Sequence, residues 1–317
     1  MAQKINTSNF RSVFKVLDKE ALHWFPGHMG KGLKQMQNKL RSVDCIFEVH
    51  DARVPISGRN DEFQHTIGGI KPHILILNKV DLIQRKYVDR IKANLNDKYE
   101  NIIFTNCKNE KCRGLNELLP LAEQLIMNSD RFNRVGEENF NVMIIGIPNV
   151  GKSSLVNALR VKYLGKGHAT PVGASPGITK SVLTKIKISE EPLFYMLDTP
   201  GILAPNVQNI EAGLKLSLCA TLQDHLVGET VIADYLLFHL NKYEHFKYVK
   251  YFQLDKPHDD ILVVLTEICK RYKMMIKMKN SLNQYIFRPD FHLAAKVMLK
   301  AFRTGELGHI VLDEGLL

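Results

Sequence analysis

The chain reads as an α/β protein: a mainly parallel sheet with helices on both faces, followed by a smaller α-helical C-terminal domain. Three observations predict this. Six short apolar runs, at 45–49, 73–77, 102–105, 142–145, 182–188 and 193–197, are bounded by polar or turn residues, with helical stretches between most of them. The run at 182–188 alternates apolar and polar and is followed closely by the next, as in an antiparallel edge hairpin. After Pro205 the strand signals stop, and 210–222, 231–240, 261–268 and 291–302 read as helices.

Taken in order, residues 1–27 form an N-terminal extension. Its segment from Phe10 to Leu17 is weakly amphipathic and basic, like an organellar presequence, although Asp18 and Glu20 follow at once. Leu33, Met36 and Leu40 lie at helical spacing among lysines. Residues 28–205 carry the alternating pattern and residues 206–317 the helices. The last helix should be capped by Asp290 after Pro289 and closed by Gly305.

Composition narrows the function classes. No apolar run approaches the ~18 residues that span a bilayer. Five scattered cysteines, never spaced Cys-x-x-Cys, argue for reduced thiols rather than a disulfide scaffold. The 43 basic and 33 acidic side chains give a net charge of +10. That surplus lies almost wholly in residues 1–205, with 29 basic against 20 acidic, whereas 206–317 carry 14 and 13. A polyanionic partner and a plain solubility charge both fit.

Chemistry concentrates in three motifs. Gly146-Ile147-Pro148-Asn149-Val150-Gly151-Lys152-Ser153 is a G-x-x-x-x-G-K-S phosphate loop between a strand and a helix expected over 154–160. Its glycines let backbone N–H groups, including those of Val150, Gly151 and Ser154, wrap phosphates; Lys152 adds a point charge and the Ser153 hydroxyl a Mg2+ ligand. Asn78-Lys79-Val80-Asp81 selects the base. A carboxylate at Asp81 can accept from both N1–H and the N2 amine of guanine, a donor pair that adenine lacks. Lys79 would lie along the base, and Asn78 would tie this loop to the phosphate loop. Asp198-Thr199-Pro200-Gly201 ends the last strand, with Asp198 holding Mg2+ through water and the Gly201 N–H sensing the terminal phosphate. Thr179 is the favoured switch threonine for Mg2+, ahead of Thr170. Asn106 and Cys107 sit where a backbone N–H would meet guanine O6. GTP or GDP with Mg2+ is therefore the expected ligand set.

The order of these motifs is inverted relative to translational GTPases, with N-K-x-D ahead of the phosphate loop. Together with Trp24-Phe25-Pro26-Gly27-His28-Met29, Asp51-Ala52-Arg53-Val54-Pro55, the run from Ile202 to Pro205 and Phe302-Arg303-Thr304-Gly305, this order resembles the circularly permuted GTPases. Within them it is similar to the ribosome-assembly group, which includes bacterial ribosome biogenesis GTPase A and mitochondrial relatives. The resemblance covers roughly residues 22–310. It implies a circularly permuted P-loop GTPase domain whose former ends are joined near 128–139. It also implies GTP hydrolysis stimulated by the ribosome, with the mitochondrial large ribosomal subunit (rRNA and proteins) as partner. A monomer on the matrix side of the inner mitochondrial membrane, attached peripherally, completes that expectation.

Ile202 stands where Ras-like enzymes carry a water-orienting glutamine, and an apolar residue cannot orient water. The resemblance implies that His28 takes over, although its own surroundings fit equally a ring packed beside Trp24 and Phe25. It likewise implies that Asn149 holds K+ in the place of an arginine finger; without it Asn149 reads as an ordinary loop residue. Two alternatives stay open on the sequence: a weakly or non-hydrolysing GTP-sensing scaffold, and a cytosolic or nucleolar ribosome-assembly GTPase. Asp51 and Arg53 read as structural support, and His225, His239 and His245 as surface or packing residues. The basic run from Lys270 to Lys279 reads as an RNA contact or as a strand edge protected by lysines.

Overall fold

The computed structural model describes residues 10–15, 40–59, 71–131, 134–167, 184–198, 210–279, 281 and 283–317. They form two units. The first holds residues 40–222 and returns for 310–317; the second holds 10–15 and 223–309.

The first unit is built on β1 (Cys45–Asp51), β2 (His73–Asn78), β3 (Ile102–Thr105), β4 (Phe140–Ile145), β5 (Thr184–Ser189) and β6 (Phe194–Asp198). Helices α1 (Lys86–Leu95), α2 (Arg113–Met127) and α3 (Lys152–Leu164) lie between strands, and α4 (Ile210–Leu218) follows. The sheet order is β3-β2-β1-β4-β6-β5, parallel except for β5, which pairs antiparallel to β6. Every residue of β1 and β4 is buried, as strands covered on both faces require. On the edge strand β5, Ile186 and Ile188 turn inward and Lys185 outward. All six strands thus fall where the apolar runs place them, with ends shifted by a residue or two. The helix after the phosphate loop starts at Lys152, two residues before the expected position.

The chain builds outward through β1, β2 and β3, then crosses back to place β4 on the other side of β1. This reversal puts the carboxyl ends of five parallel strands on one edge, where open α/β sheets bind ligands. Asp51, Asn78 and Thr105 occupy matching positions at the ends of β1, β2 and β3. Asp198 lies opposite Ile144 of β4.

The link between α2 and β4, where the former ends were expected to join, is fixed by charge. Asp44, fully buried, pairs with Arg131 at 3.2 Å and Arg134 at 2.8 Å. Both arginines also donate to Asn139 O, so the two guanidiniums brace the turn from either side.

The unit boundary differs from the expected one at 205/206. Leu214, Leu216 and Leu218 of α4 are buried within the sheet unit, and the helix stops at Leu218 rather than running to 222. The C-terminal residues return to it as well. Ile310 N donates to Leu82 O and Leu312 N to Arg53 O, while Val311 joins a core cluster with Leu75, Leu77, Tyr87 and Ile91. Asp313 is wholly buried, accepting from Ile56 N and Ser57 N at 2.8 Å and pairing with Lys215 at 3.3 Å. A buried carboxylate with this many donors makes the tail part of the sheet unit.

The second unit contains α5 (Asp224–Val227), α6 (Glu229–Lys242), α7 (Lys247–Phe252), α8 (Ile261–Tyr272), β7 (Met275–Lys279), β8 (Tyr285–Pro289) and α9 (Phe291–Arg303). Helix α6 is its centre: Ile232, Ala233, Tyr235, Leu236, Leu237 and Leu240 are buried, and the ring of His239 packs 4.7 Å from Tyr243. Asp290 caps α9 by accepting from Leu293 N, and Gly305 takes the left-handed conformation just beyond its end (φ +86°). Residues 10–15 anchor here: Arg11 pairs with Asp234 at 2.8 Å and Asp259 at 3.1 Å, and Phe14 meets Tyr235 edge-on at 5.2 Å. One expectation is corrected. Strands do not stop after Pro205, because β7 and β8 form an antiparallel hairpin.

Candidate nucleotide site

The phosphate loop follows β4 directly. Three of its residues have positive φ: Gly146 (+145°), Asn149 (+60°) and Gly151 (+102°). At two of them a side chain has no room. A Cβ on Gly146 would lie 2.2 Å from Val49 O, and one on Gly151 2.2 Å from Asn78 Nδ2. The loop ends at the N-terminus of α3, where the positive end of the helix dipole favours an anion. Lys152 is almost buried and curls over its own loop, its Nζ donating to Gly146 O at 2.9 Å and Ile147 O at 3.0 Å. Ser153 and Ser154, both partly exposed, occupy the first turn of α3.

The second motif meets this loop across the switch point. Asn78, at the end of β2, donates from Nδ2 to Val150 O at 2.8 Å. Its Oδ1 accepts from Thr105 Oγ1 at 3.1 Å and from Cys107 Sγ at 3.2 Å. Lys79 is left-handed (φ +62°) and its Nζ donates to Asn149 O at 2.6 Å. Two consecutive residues thus tie the base-recognition loop to the phosphate loop, as the sequence predicts for Asn78. Asp81 lies in a single 3₁₀ turn (Val80–Leu82) and is half-buried. Among the described residues none hydrogen-bonds its carboxylate, which suits an acceptor kept for a ligand. Burial pushes the Cys107 thiol up to about 12, only partly offset by its hydrogen bond with Thr105, so Cys107 is a neutral donor rather than a nucleophile. Asn106 accepts from Lys108 N at 3.0 Å, which shapes the turn after β3.

One contributor was underestimated from sequence. Asp51, fully buried, binds Arg53 through both oxygens at 3.0 and 2.8 Å and also meets Lys79 Nζ at 2.9 Å. Burial alone would raise its pKa, but the charges of Arg53 and Lys79 outweigh this and hold the carboxyl well below the usual range. Asp51 therefore fixes the lysine expected along the base. The available signal was its place at the end of the strand beside the one bearing Asn78. Asn149 Nδ2 donates to Ala220 O at 2.6 Å, a contact no local pattern announces.

The structure thus brings together Asn78, Lys79, Asp81, Asn106, Cys107, Asn149, Val150, Gly151, Lys152 and Ser153 along one sheet edge. Asp198 ends β6 on that edge. His28, Thr179 and Gly201 lie outside the described residues.

Comparison with known proteins accords with this geometry. The family described as 50S ribosome-binding GTPase matches residues 141–278, starting at β4 and leaving Asn78–Lys79–Val80–Asp81 upstream. The chain is 54% identical to Mitochondrial GTPase 1 of Aedes aegypti over 96% of its own length and 98% of that protein's. The chain belongs to the mitochondrial GTPase 1 family. It is also 47% identical to Mitochondrial ribosome-associated GTPase 1 of Ictalurus punctatus, covering 97% of each. In fold it is similar to GNP-bound YlqF from T. maritima, at TM-score 0.57 and 20% identity, covering 89% of this chain and 97% of that one. Its sheet unit is a circularly permuted P-loop GTPase domain: the base-recognition strand β2 precedes the phosphate-loop strand β4, yet both end on the same edge.

Proposed function

We propose that this chain binds and hydrolyses GTP in assembly of the mitochondrial large ribosomal subunit, and hence serves mitochondrial translation. The observation that carries the nucleotide half is the pair of bonds from Asn78 to Val150 O and from Lys79 to Asn149 O. They join a guanine-selective motif to a phosphate cradle despite their reversed order. The residues fit a bound nucleotide: the bare backbone of Gly151 leaves room for the Asn78 side chain, and α3 begins where the loop ends. The ribosomal and mitochondrial half rests on the names of the relatives, which favour the mitochondrion over the cytosol.

Within this reading Ser153, Thr179 and Asp198 hold Mg2+, which would neutralise charge developing on the phosphates. Asn149 contributes Oδ1 to K+, its Nδ2 being engaged by Ala220 O. His28 positions the attacking water in place of the glutamine that Ile202 is not. Gly201 follows the terminal phosphate and passes its movement through Pro205 to the following segment. The protein acts as a monomer, attached peripherally to the matrix side of the inner membrane. No helix among the described residues is long and apolar enough to cross a bilayer.

The test is copurification with mitochondrial large-subunit particles in a non-hydrolysable GTP analogue and in GDP, with single-turnover GTP decay in KCl and NaCl. The expected result is analogue-dependent binding, particle-stimulated decay, and slower decay in NaCl and for His28→Ala. Binding independent of nucleotide would defeat the reading. Analogue-dependent binding without stimulated decay would favour the GTP-sensing scaffold.

A further inference from the structure

The hairpin of the helical unit has two unlike faces. Register pairs Lys277 with Phe287 and Lys279 with Tyr285, so these four side chains share one face. Ile276, Met278, Ile286 and Arg288 take the other. On the first face Tyr285 and Phe287 are 60% and 64% exposed, unusual for rings of this size. The Lys277 ammonium sits 4.0 Å from the Tyr285 ring centre and that of Lys279 5.5 Å. From Lys270 to Pro289 there are six basic residues and no acidic one, whereas the rest of 206–317 carries eight basic against thirteen acidic.

We propose that this face binds single-stranded RNA, with Tyr285 and Phe287 as stacking platforms for unpaired bases and Lys277 and Lys279 on the adjoining phosphates. Residues two apart on a strand lie about 7 Å from each other on the same side, which leaves room for successive bases. Charge complementarity favours a polyanion, and the exposed rings favour one whose bases are free. In an A-form duplex the bases already stack on each other and only shallow edges remain. A membrane surface fits less well. It would draw in an apolar tip flanked by cations, whereas here the cations lie mid-strand against the rings and residues 280–284 read Asn-Ser-Leu-Asn-Gln. The inference deepens the ribosomal reading by giving the chemistry of one contact, and it is testable without ribosomes.

The experiment measures binding of the full chain to a labelled oligouridine of twelve nucleotides, a twelve-base-pair RNA duplex, and vesicles of phosphatidylcholine with cardiolipin. Binding to the single strand should be strongest. Tyr285→Ala/Phe287→Ala should weaken it at least roughly tenfold while keeping its salt dependence. Lys277→Gln/Lys279→Gln should flatten the log–log salt slope by about 1.4. All variants should retain wild-type GTP turnover and melting temperature, because none of these side chains is buried. Equal binding by the aromatic variant, preference for the duplex, or capture by vesicles in place of RNA would overturn the proposal. If the variants lost RNA yet still bound large-subunit particles normally, the hairpin would be excluded as a ribosomal contact while the ribosomal reading stood.

Discussion

The nucleotide edge of the sheet unit and the hairpin of the helical unit solve opposite problems. At the nucleotide edge, chemistry-bearing groups from segments distant in the chain hold one another: Asn78 holds Val150, Lys79 holds Asn149, and buried Asp51 holds Lys79. On the hairpin the lysines and aromatic rings stand in solvent and touch mainly each other. A site that must recognise a single small ligand gains from groups fixed in advance, because ordering them on binding would cost affinity. A surface that meets a polymer tolerates loose side chains, since stacking and phosphate contact demand little geometry. The same substitution should therefore be costly in one region and nearly silent in the other.

The largest effect is expected at Asp51. Asp51→Ala would strand Arg53 and Lys79 without their shared anion, at a cost of roughly 3–5 kcal/mol, read from urea unfolding. The pH dependence carries the same signature. Asp51 and Glu48 both have carboxyls held below their ordinary range. For Glu48, burial opposes the shift, and hydrogen bonds from His50 and His73 overcome it. A depressed folded-state pKa means that this stability is complete above the ordinary carboxylate range and drains as pH falls below about 4. Acid unfolding monitored by circular dichroism should therefore begin at higher pH once stability is reduced elsewhere. Wild type and Asp51→Ala should also converge in stability at low pH.

Next in size is Gly151→Ala. Its φ of +102° and the 2.2 Å approach to Asn78 Nδ2 mean that a methyl group must push the base-recognition loop away. Strain of about 1–3 kcal/mol follows, and GTP affinity should fall tenfold or more with the fold retained. An undiminished affinity would break the claim that the two loops are preassembled. The smallest effect is expected on the hairpin, where Phe287→Ser should change unfolding free energy by less than about 0.5 kcal/mol. A large loss there would mean that the ring supports the fold and is no free platform.

The strands and nucleotide motifs were legible because both are local. Apolar runs of four to seven residues mark buried strands, and the phosphate loop announces itself through glycines at positions where φ is positive. What the sequence hid depends on distant partners. The return of 310–317 to the sheet unit rests on Asp313 finding Ser57 and Lys215, and nothing near Asp313 signals those donors. Asp51 read only as structural support because its second charged partner, Lys79, follows a different strand. The hairpin at 275–289 showed in the sequence only as one of two readings of the basic run from Lys270 to Lys279, a strand edge protected by lysines, because its apolar residues point to both sides and lysines interrupt them. His28, Thr179 and Gly201 were named from motif and resemblance.

The account turns on Asp81 reading guanine within the pocket whose phosphates lie at Lys152. Calorimetric titration of wild type and Asp81→Asn with GTP, XTP and ATP tests it most directly. Wild type should bind GTP far more tightly than ATP. Asp81→Asn should lose GTP and gain XTP, since an amide can donate to the xanthine 2-oxo group where the carboxylate accepted from the guanine amine. Equal affinity of the wild type for ATP, or an Asp81→Asn variant that still prefers GTP, would contradict it.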